Sequence, residues 1–277
     1  MRVYLVVCQC AQFYTLVGHF SAPRKTMAAR LTTSLGDVMA QFFGQPNSQG
    51  EMIVALQGKS ANHDVITEWE PTCRALAAAG HHVVLPDLHS NPSTKPGTIR
   101  PEGVAEIVLS AVAQTGATSI ALLGKSWGGG EAVIFAAAHR SLVSKLVLVA
   151  PSLSVPERIS EIATLPTLLF WAHDDPVKAF DLSADFTSQL ERCSFQPSDS
   201  GGHRVLPEHC QPIVAFLATL PGELKAQALT GNRDMAEDLE REPCGTCTRS
   251  FAPSVLVRHE PMCAARATKA AAKVERG

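Results

Sequence analysis

The sequence predicts an α/β domain, a mostly parallel sheet with helices on both faces, followed by a much smaller module near the C-terminus. Three observations carry this expectation. From residue 37 onward, short apolar runs of strand length alternate with stretches of helical period. Those runs are apolar throughout rather than at every second residue, which implies cover on both faces of the sheet. Beyond residue 243, cysteine and histidine gather at a metal-ligand spacing found nowhere else in the chain.

The elements follow in order. Residues 37–43 read as a strand, and Gly44-Gln-Pro-Asn-Ser-Gln-Gly50 as the turn after it. Residues 52–56 form a buried strand ending at Gln57-Gly58. A helix is expected to begin near Pro71, because proline suits the first helical turn, and to end at Gly80, where a left-handed cap costs least. Residues 83–86 continue as a strand, and 87–97 as a polar, proline-rich loop. Val104, Ile107, Val108 and Val112 lie on one face of a helix spanning 104–114. The runs 120–123, 146–149 and 167–171 are further strands, and 207–220 closes the domain as a helix turning Ile213, Phe216 and Leu217 inward.

Composition bounds the function. With 277 residues, 45% hydrophobic and 18% charged, the chain can bury one large core and carry an appendage. A net charge of −2 gives no overall attraction to nucleic acid or anionic membrane. No apolar stretch approaches the roughly 18 residues of a transmembrane helix. Of the eight cysteines, Cys244, Cys247 and Cys263 fall into the metal-ligand pattern, and the other five are scattered without an evident pairing. A reducing compartment, and so a cytoplasmic location, is expected. Residues 1–26 resemble a secretory signal only superficially, since Gln9, Gln12 and His19 interrupt the apolar run. They read as a leader or an over-extended start, with Met27 as the alternative initiator.

The sharpest motif is Gly124-Lys125-Ser126-Trp127-Gly128-Gly129-Gly130, set between the apolar run 120–123 and a helical stretch at 132–139. A serine at the tip of a tight strand-to-helix turn stands clear of the sheet, and the residues two to either side must be glycine or very small for the chain to pass. The helix N-terminus behind it favours developing negative charge. Two carboxylates, Asp174 and Asp175, end the next suitable strand, and His203 precedes the last helix. Serine, acid and histidine therefore stand in the order in which a histidine can deprotonate a serine while a carboxylate orients the imidazole. Gly58-Lys59-Ser60 and Gly124-Lys125-Ser126 look like endings of phosphate-binding loops, but the glycine needed five residues earlier is Ile53 or Ser119. Nucleotide binding is not supported.

From the hairpin before Met52 to the helix ending near Leu220, the chain resembles the α/β-hydrolase superfamily, in its serine hydrolase branch. The resemblance implies Ser126 as nucleophile, His203 as base and Asp175 as acid. Asp175 is preferred because the family's acid commonly precedes a proline and an apolar residue, here Pro176-Val177, and Asp174 is the alternative. It also implies an oxyanion hole formed by the main-chain N–H groups of Lys59 and Trp127. The family usually carries His-Gly where this chain has Gln57-Gly58, a departure that leaves the main-chain donors in place. A serine at the elbow excludes the aspartate-nucleophile branch. The short connection between 150 and 167 leaves no room for a lid, so a small soluble ester, thioester or amide is the expected acyl substrate. The pocket lining would come from 60–68, 89–99 and 152–159.

The second motif is Cys244-x-x-Cys247, eleven residues, His259, three residues, Cys263. The two cysteines fit a tight knuckle, and His259 and Cys263 point the same way from one helical turn, together a tetrahedral S₃N set suited to Zn²⁺. Phe251 and Leu256 supply the small apolar core, and the text resembles the C2HC-type zinc fingers. Four protein ligands make the zinc structural. The domain organisation expected is therefore a leader or over-extended start at 1–26, a hydrolase domain at 27–221, a charged linker at 222–241, a C2HC finger at 242–265 and a basic tail at 266–277. The finger would dock onto a protein partner or stabilise the tail, and nucleic acid is disfavoured because a single finger reads only about three base pairs. The alternative is a non-catalytic hydrolase-fold scaffold whose finger carries the biology.

Overall fold

The computed structural model describes residues 27–46, 50–59 and 65–219, and in the C-terminal segment residues 242, 243, 245, 246, 250, 251 and 264. The leader at 1–26, the linker at 222–241, the tail at 266–277 and the ligands Cys244, Cys247, His259 and Cys263 lie outside the described residues.

An eight-stranded sheet organises the domain. Its strands are β1 (Met27–Thr33), β2 (Gly36–Phe43), β3 (Glu51–Leu56), β4 (His82–Asp87), β5 (Ser119–Lys125), β6 (Val143–Val149), β7 (Thr167–Ala172) and β8 (Cys193–Ser198). They lie in the order β1-β2-β4-β3-β5-β6-β7-β8. The hairpin β1–β2 joins β4 antiparallel, and every pairing from β4 through β3 to β8 is parallel. Parallel neighbours put their carboxyl ends along one rim, so the loops after β3, β5, β7 and β8 open on one side.

The helices are α1 (Val65–Ala78), α2 (Pro101–Thr115), α3 (Trp127–Ala138), the short α4 (Arg158–Glu161) and α5 (Ser183–Thr187), and α6 (Cys210–Ala218). Strands β3 and β5 alternate between two cores. On one face Met52, Val54, Leu56, Ile120 and Leu122 pack with Val104, Ile107 and Val108 of α2 and Val133 of α3. On the other, Ile53, Ala55, Ala121 and Leu123 pack with Trp69 and Leu76 of α1 and Ile213, Phe216 and Leu217 of α6. This two-sided burial is what the uniformly apolar strands predicted.

Helix α1 departs from the expectation. It begins at Val65, and Pro71 lies inside it. The earlier turn is held by tertiary contacts that helix-start rules do not see. Trp69 is fully buried and its indole N–H donates to Leu56 O (3.2 Å), while Glu68 forms an ion pair with Lys125. The C-terminus is as expected: Gly80 is left-handed (φ +94°), and Gly80 N and His81 N donate to Ala77 O and Leu76 O. Strand β8 was not anticipated, because an edge strand exposed at Ser194, Gln196 and Pro197 lacks the apolar run of its neighbours. The last helix is split: a 3₁₀ turn, Pro207–His209, precedes α6, which buries Ile213, Phe216 and Leu217 as expected.

The connection from β6 to β7 contains the single turn α4 and no larger insertion. Cys73, Cys193 and Cys210 are free thiols. No helix among the described residues is long and apolar enough to cross a membrane. In the C-terminal segment, β9 (Glu242–Pro243) and β10 (Ser250–Phe251) pair antiparallel, Pro243 opposite Ser250 and Glu242 opposite Phe251.

Candidate active site

Ser126 closes β5 and opens α3 with φ 51° and ψ −120°. A side chain there is strained, and only Ser126 and Ala150 among the described non-glycine residues have positive φ. The surroundings hold it in place. Ser126 N donates to Val149 O (2.9 Å), and Ser126 O accepts from Ser152 N (2.7 Å) and Gly130 N (3.1 Å). The flanking glycines are required sterically. A Cβ on Gly124 would stand 2.5 Å from Gly128 O, and one on Gly128 would collide with Gln57 O and stand 2.6 Å from Leu56 O. The strand-turn-helix expected at 120–139 is thus a sharp elbow that only this pattern of small residues permits.

The loop after β3 lies against this elbow. The Cβ position of Gly58 is 3.4 Å from Ser126 Cβ and from Lys125 O, which sets Gln57-Gly58-Lys59 beside the nucleophile candidate. Lys59 follows on the rim, and Trp127 is the first residue of α3. Gln57 is fully buried, and its amide N and O have no hydrogen-bond partner among the described residues. Residues 60–64, expected in the pocket lining, lie outside the described residues.

One pair here was not anticipated. Lys125, only 8% exposed, places its Nζ at 2.9 and 2.7 Å from the two carboxylate oxygens of Glu68. A buried ammonium needs such a partner, so a lysine within an otherwise buried strand and turn was itself the signal for one. The pair fastens α1 to the residue preceding Ser126.

The two neighbouring aspartates take different partners. Asp175 Oδ2 lies 2.7 Å from His203 Nδ1, and its Oδ1 accepts from Val177 N and Lys178 N, each at 2.8 Å. Burial raises the Asp175 carboxyl, but hydrogen bonds from His203, Lys178 and Val177 outweigh it and hold the group below the ordinary carboxylate range. The other ring nitrogen, His203 Nε2, is buried and has no partner among the described residues. Asp174 does not reach the imidazole. Its Oδ1 accepts from Gly202 N (2.8 Å) and its Oδ2 from Gly201 N (3.3 Å). The geometry therefore selects Asp175 over Asp174 as the partner of His203.

Other histidines have structural surroundings. His209 stacks on Phe170 with ring centroids 4.2 Å apart, and His82 packs by Phe42. Burial depresses the pKa of both. Among the described residues no three His, Cys, Asp or Glu side chains are grouped to hold a metal ion.

Solved structures similar to the domain share its fold. One described as a "predicted CIB-like hydrolase" from Thermoplasma acidophilum aligns with TM-score 0.59 at 18% identity, over 74% of this chain and 99% of that one. A serine hydrolase from Cycloclasticus zankles aligns with TM-score 0.58 at 11% identity, over 75% and 100%. Est1E from Butyrivibrio proteoclasticus aligns with TM-score 0.55 at 14% identity, over 73% and 98%. No curated protein matches the chain in sequence. The family described as the alpha/beta hydrolase fold matches residues 52–198, a span running from the second residue of β3 to the end of β8 and holding the elbow and both aspartates. The chain belongs to the α/β-hydrolase fold family.

Proposed function

We propose that the domain is a serine hydrolase that cleaves a small ester, thioester or amide through an acyl-enzyme. Ser126 Oγ attacks the acyl carbon, and its proton passes to His203 Nε2. Asp175, bonded to His203 Nδ1, fixes the tautomer and stabilises the imidazolium. The main-chain N–H groups of Lys59 and Trp127 receive the developing oxyanion. His203 then gives its proton to the leaving group, and a water deprotonated by the same nitrogen releases the acid. The observation that carries this reading is the pairing of a strained, positive-φ serine at the elbow with an Asp175–His203 contact of 2.7 Å. Backbone strain of this kind persists only where surrounding structure enforces it. The short β6–β7 connection supports a small, soluble substrate.

The C-terminal segment belongs to the same proposal as a C2HC finger holding one structural Zn²⁺ through Cys244, Cys247, His259 and Cys263. The antiparallel pairing of β9 with β10 supports it, because the paired residues Pro243 and Ser250 flank the sequence interval that holds Cys244 and Cys247. Zinc supplies the folding energy that so short a segment lacks. Its partner is expected to be a protein.

The test is rapid mixing with p-nitrophenyl butyrate and a butyryl thioester. A burst stoichiometric with protein, abolished in Ser126→Ala, supports the acyl-enzyme. Absence of turnover and burst with a folded protein would favour the scaffold reading, for which Gln57 in place of the family's usual histidine speaks. One zinc per chain by elemental analysis, lost in Cys247→Ser, tests the finger.

A further inference from the structure

We propose that Asp174 is a positioning residue, the brace that holds the histidine-bearing loop so that His203 meets Ser126; this rests on the hydrolase reading above. The argument begins with the loop. Between the end of β8 at Ser198 and the 3₁₀ turn at Pro207, the chain must deliver one imidazole to a fixed place, and it does so through Gly201-Gly202-His203. Both glycines are at positive φ, +135° and +63°. Glycine reaches such angles freely but also leaves them freely, so this segment loses more backbone freedom on ordering than any other pair of residues would.

The β7–β8 ladder extends only as far as the bond from His173 N to Ser198 O (2.8 Å). One residue later the main chain of β7 has turned away, and the Asp174 carboxylate takes over the link. Its two oxygens accept the consecutive N–H groups of Gly201 and Gly202, at 3.3 and 2.8 Å. The next residue, Asp175, grips the His203 ring itself at 2.7 Å. Two adjacent carboxylates on one strand end thus divide the work: Asp174 fixes the main chain before the histidine, and Asp175 fixes the ring. Close packing completes the seat. A Cβ on Gly201 would lie 2.5 Å from Leu206 Cδ1, and one on Gly202 would rest 3.9 Å from Pro176 Cδ.

Asp174 itself is exposed, outside both apolar cores. Its removal therefore loosens one loop without emptying a core position. A misplacement of about 1 Å in a base that must meet a hydroxyl is enough to slow proton transfer severely.

The test uses the full-length chain and three readouts. With p-nitrophenyl butyrate, Asp174→Ala is expected to lower kcat by about tenfold and to leave KM within about twofold. Asp174→Asn, which keeps an oxygen for Gly202 N–H, is expected to recover to within about threefold of wild type. The hydrogen-bonded His203 Nδ1 proton, observed far downfield by ¹H NMR, should broaden in Asp174→Ala and remain sharp in Asp174→Asn. An Asp174→Ala protein with unchanged kcat and an unchanged downfield proton would overturn the proposal, as would a rise in KM at constant kcat. Should Asp174→Ala fail to fold, Asp174→Ser, whose hydroxyl is too short to reach both N–H groups, takes its place: wild-type kcat with a wild-type proton signal overturns the brace, and a loss in kcat with KM unchanged supports it. Should the wild type turn over no ester, the hydrolase reading fails, and the NMR comparison alone still upholds or overturns the brace.

Discussion

Glu131 is the one buried glutamate among the described residues, and it stands one turn into the helix that follows the elbow. It lies on α3 five residues after Ser126, is 7% exposed, and its Oε2 has no hydrogen-bond partner among the described residues. Burial, reinforced by the negative charge of Glu102 on α2, raises its pKa from 4.5 to about 7. The linkage sign follows from the protons bound. Between these values the folded protein keeps the proton and the unfolded chain has lost it. Stability is therefore full below 4.5 and falls as pH rises toward 7, above which it stays level. At 1.36 kcal/mol per pH unit the whole cost is about 3 kcal/mol, of which about 2.5 kcal/mol accrues between pH 5 and pH 8. Glu131→Gln removes the titration and keeps the shape. The assay is urea unfolding of both proteins at pH 5 and pH 8, followed by the fluorescence of the buried Trp69 and Trp171. Groups titrating equally in the two proteins cancel in the difference. The advantage of Glu131→Gln over wild type is expected to grow by about 2.5 kcal/mol from pH 5 to pH 8. A pH-independent difference, or one that shrinks with pH, would refute the reasoning.

Two further predictions concern stability. Ser126→Gly should be more stable than Ser126→Ala by about 1 kcal/mol in thermal unfolding, because only glycine relieves the positive φ; equal melting temperatures would show that the elbow is unstrained. Lys145, 3% exposed on β6, donates from Nζ to Leu217 O (2.7 Å), Thr219 O (2.6 Å) and Phe216 O (3.3 Å), the carbonyls at the end of α6. Lys145→Met should cost about 2 kcal/mol in urea unfolding by leaving those carbonyls unpaired, and an unchanged midpoint would show that the helix end needs no such cap.

How far the sequence could be read depends on the range of the interaction concerned. The elbow was legible because its requirements are local: an apolar strand, then glycines at two places where a Cβ meets main chain. Residues Asp175 and His203 were legible because chain order and strand ends put them on one rim. The start of α1 was misplaced because Pro71 is a local signal, whereas Trp69 and Glu68 act through Leu56 and Lys125 on other elements. Likewise, the division of labour between Asp174 and Asp175 depends on how the Gly201–Gly202 main chain folds back across β7. The capping of α6 by Lys145 joins residues more than 70 positions apart, and no periodicity reports on it. Edge strand β8 escaped notice because half of its side chains face solvent.

The central claim is that Ser126 is an activated nucleophile. The most direct measurement is covalent labelling of the full-length protein with a fluorophosphonate, with the modified residue located by peptide mass spectrometry. The account predicts one label per chain, on Ser126, absent from Ser126→Ala and greatly slowed in His203→Ala. A folded wild-type protein that takes up no label, or a label that persists in Ser126→Ala, would contradict it.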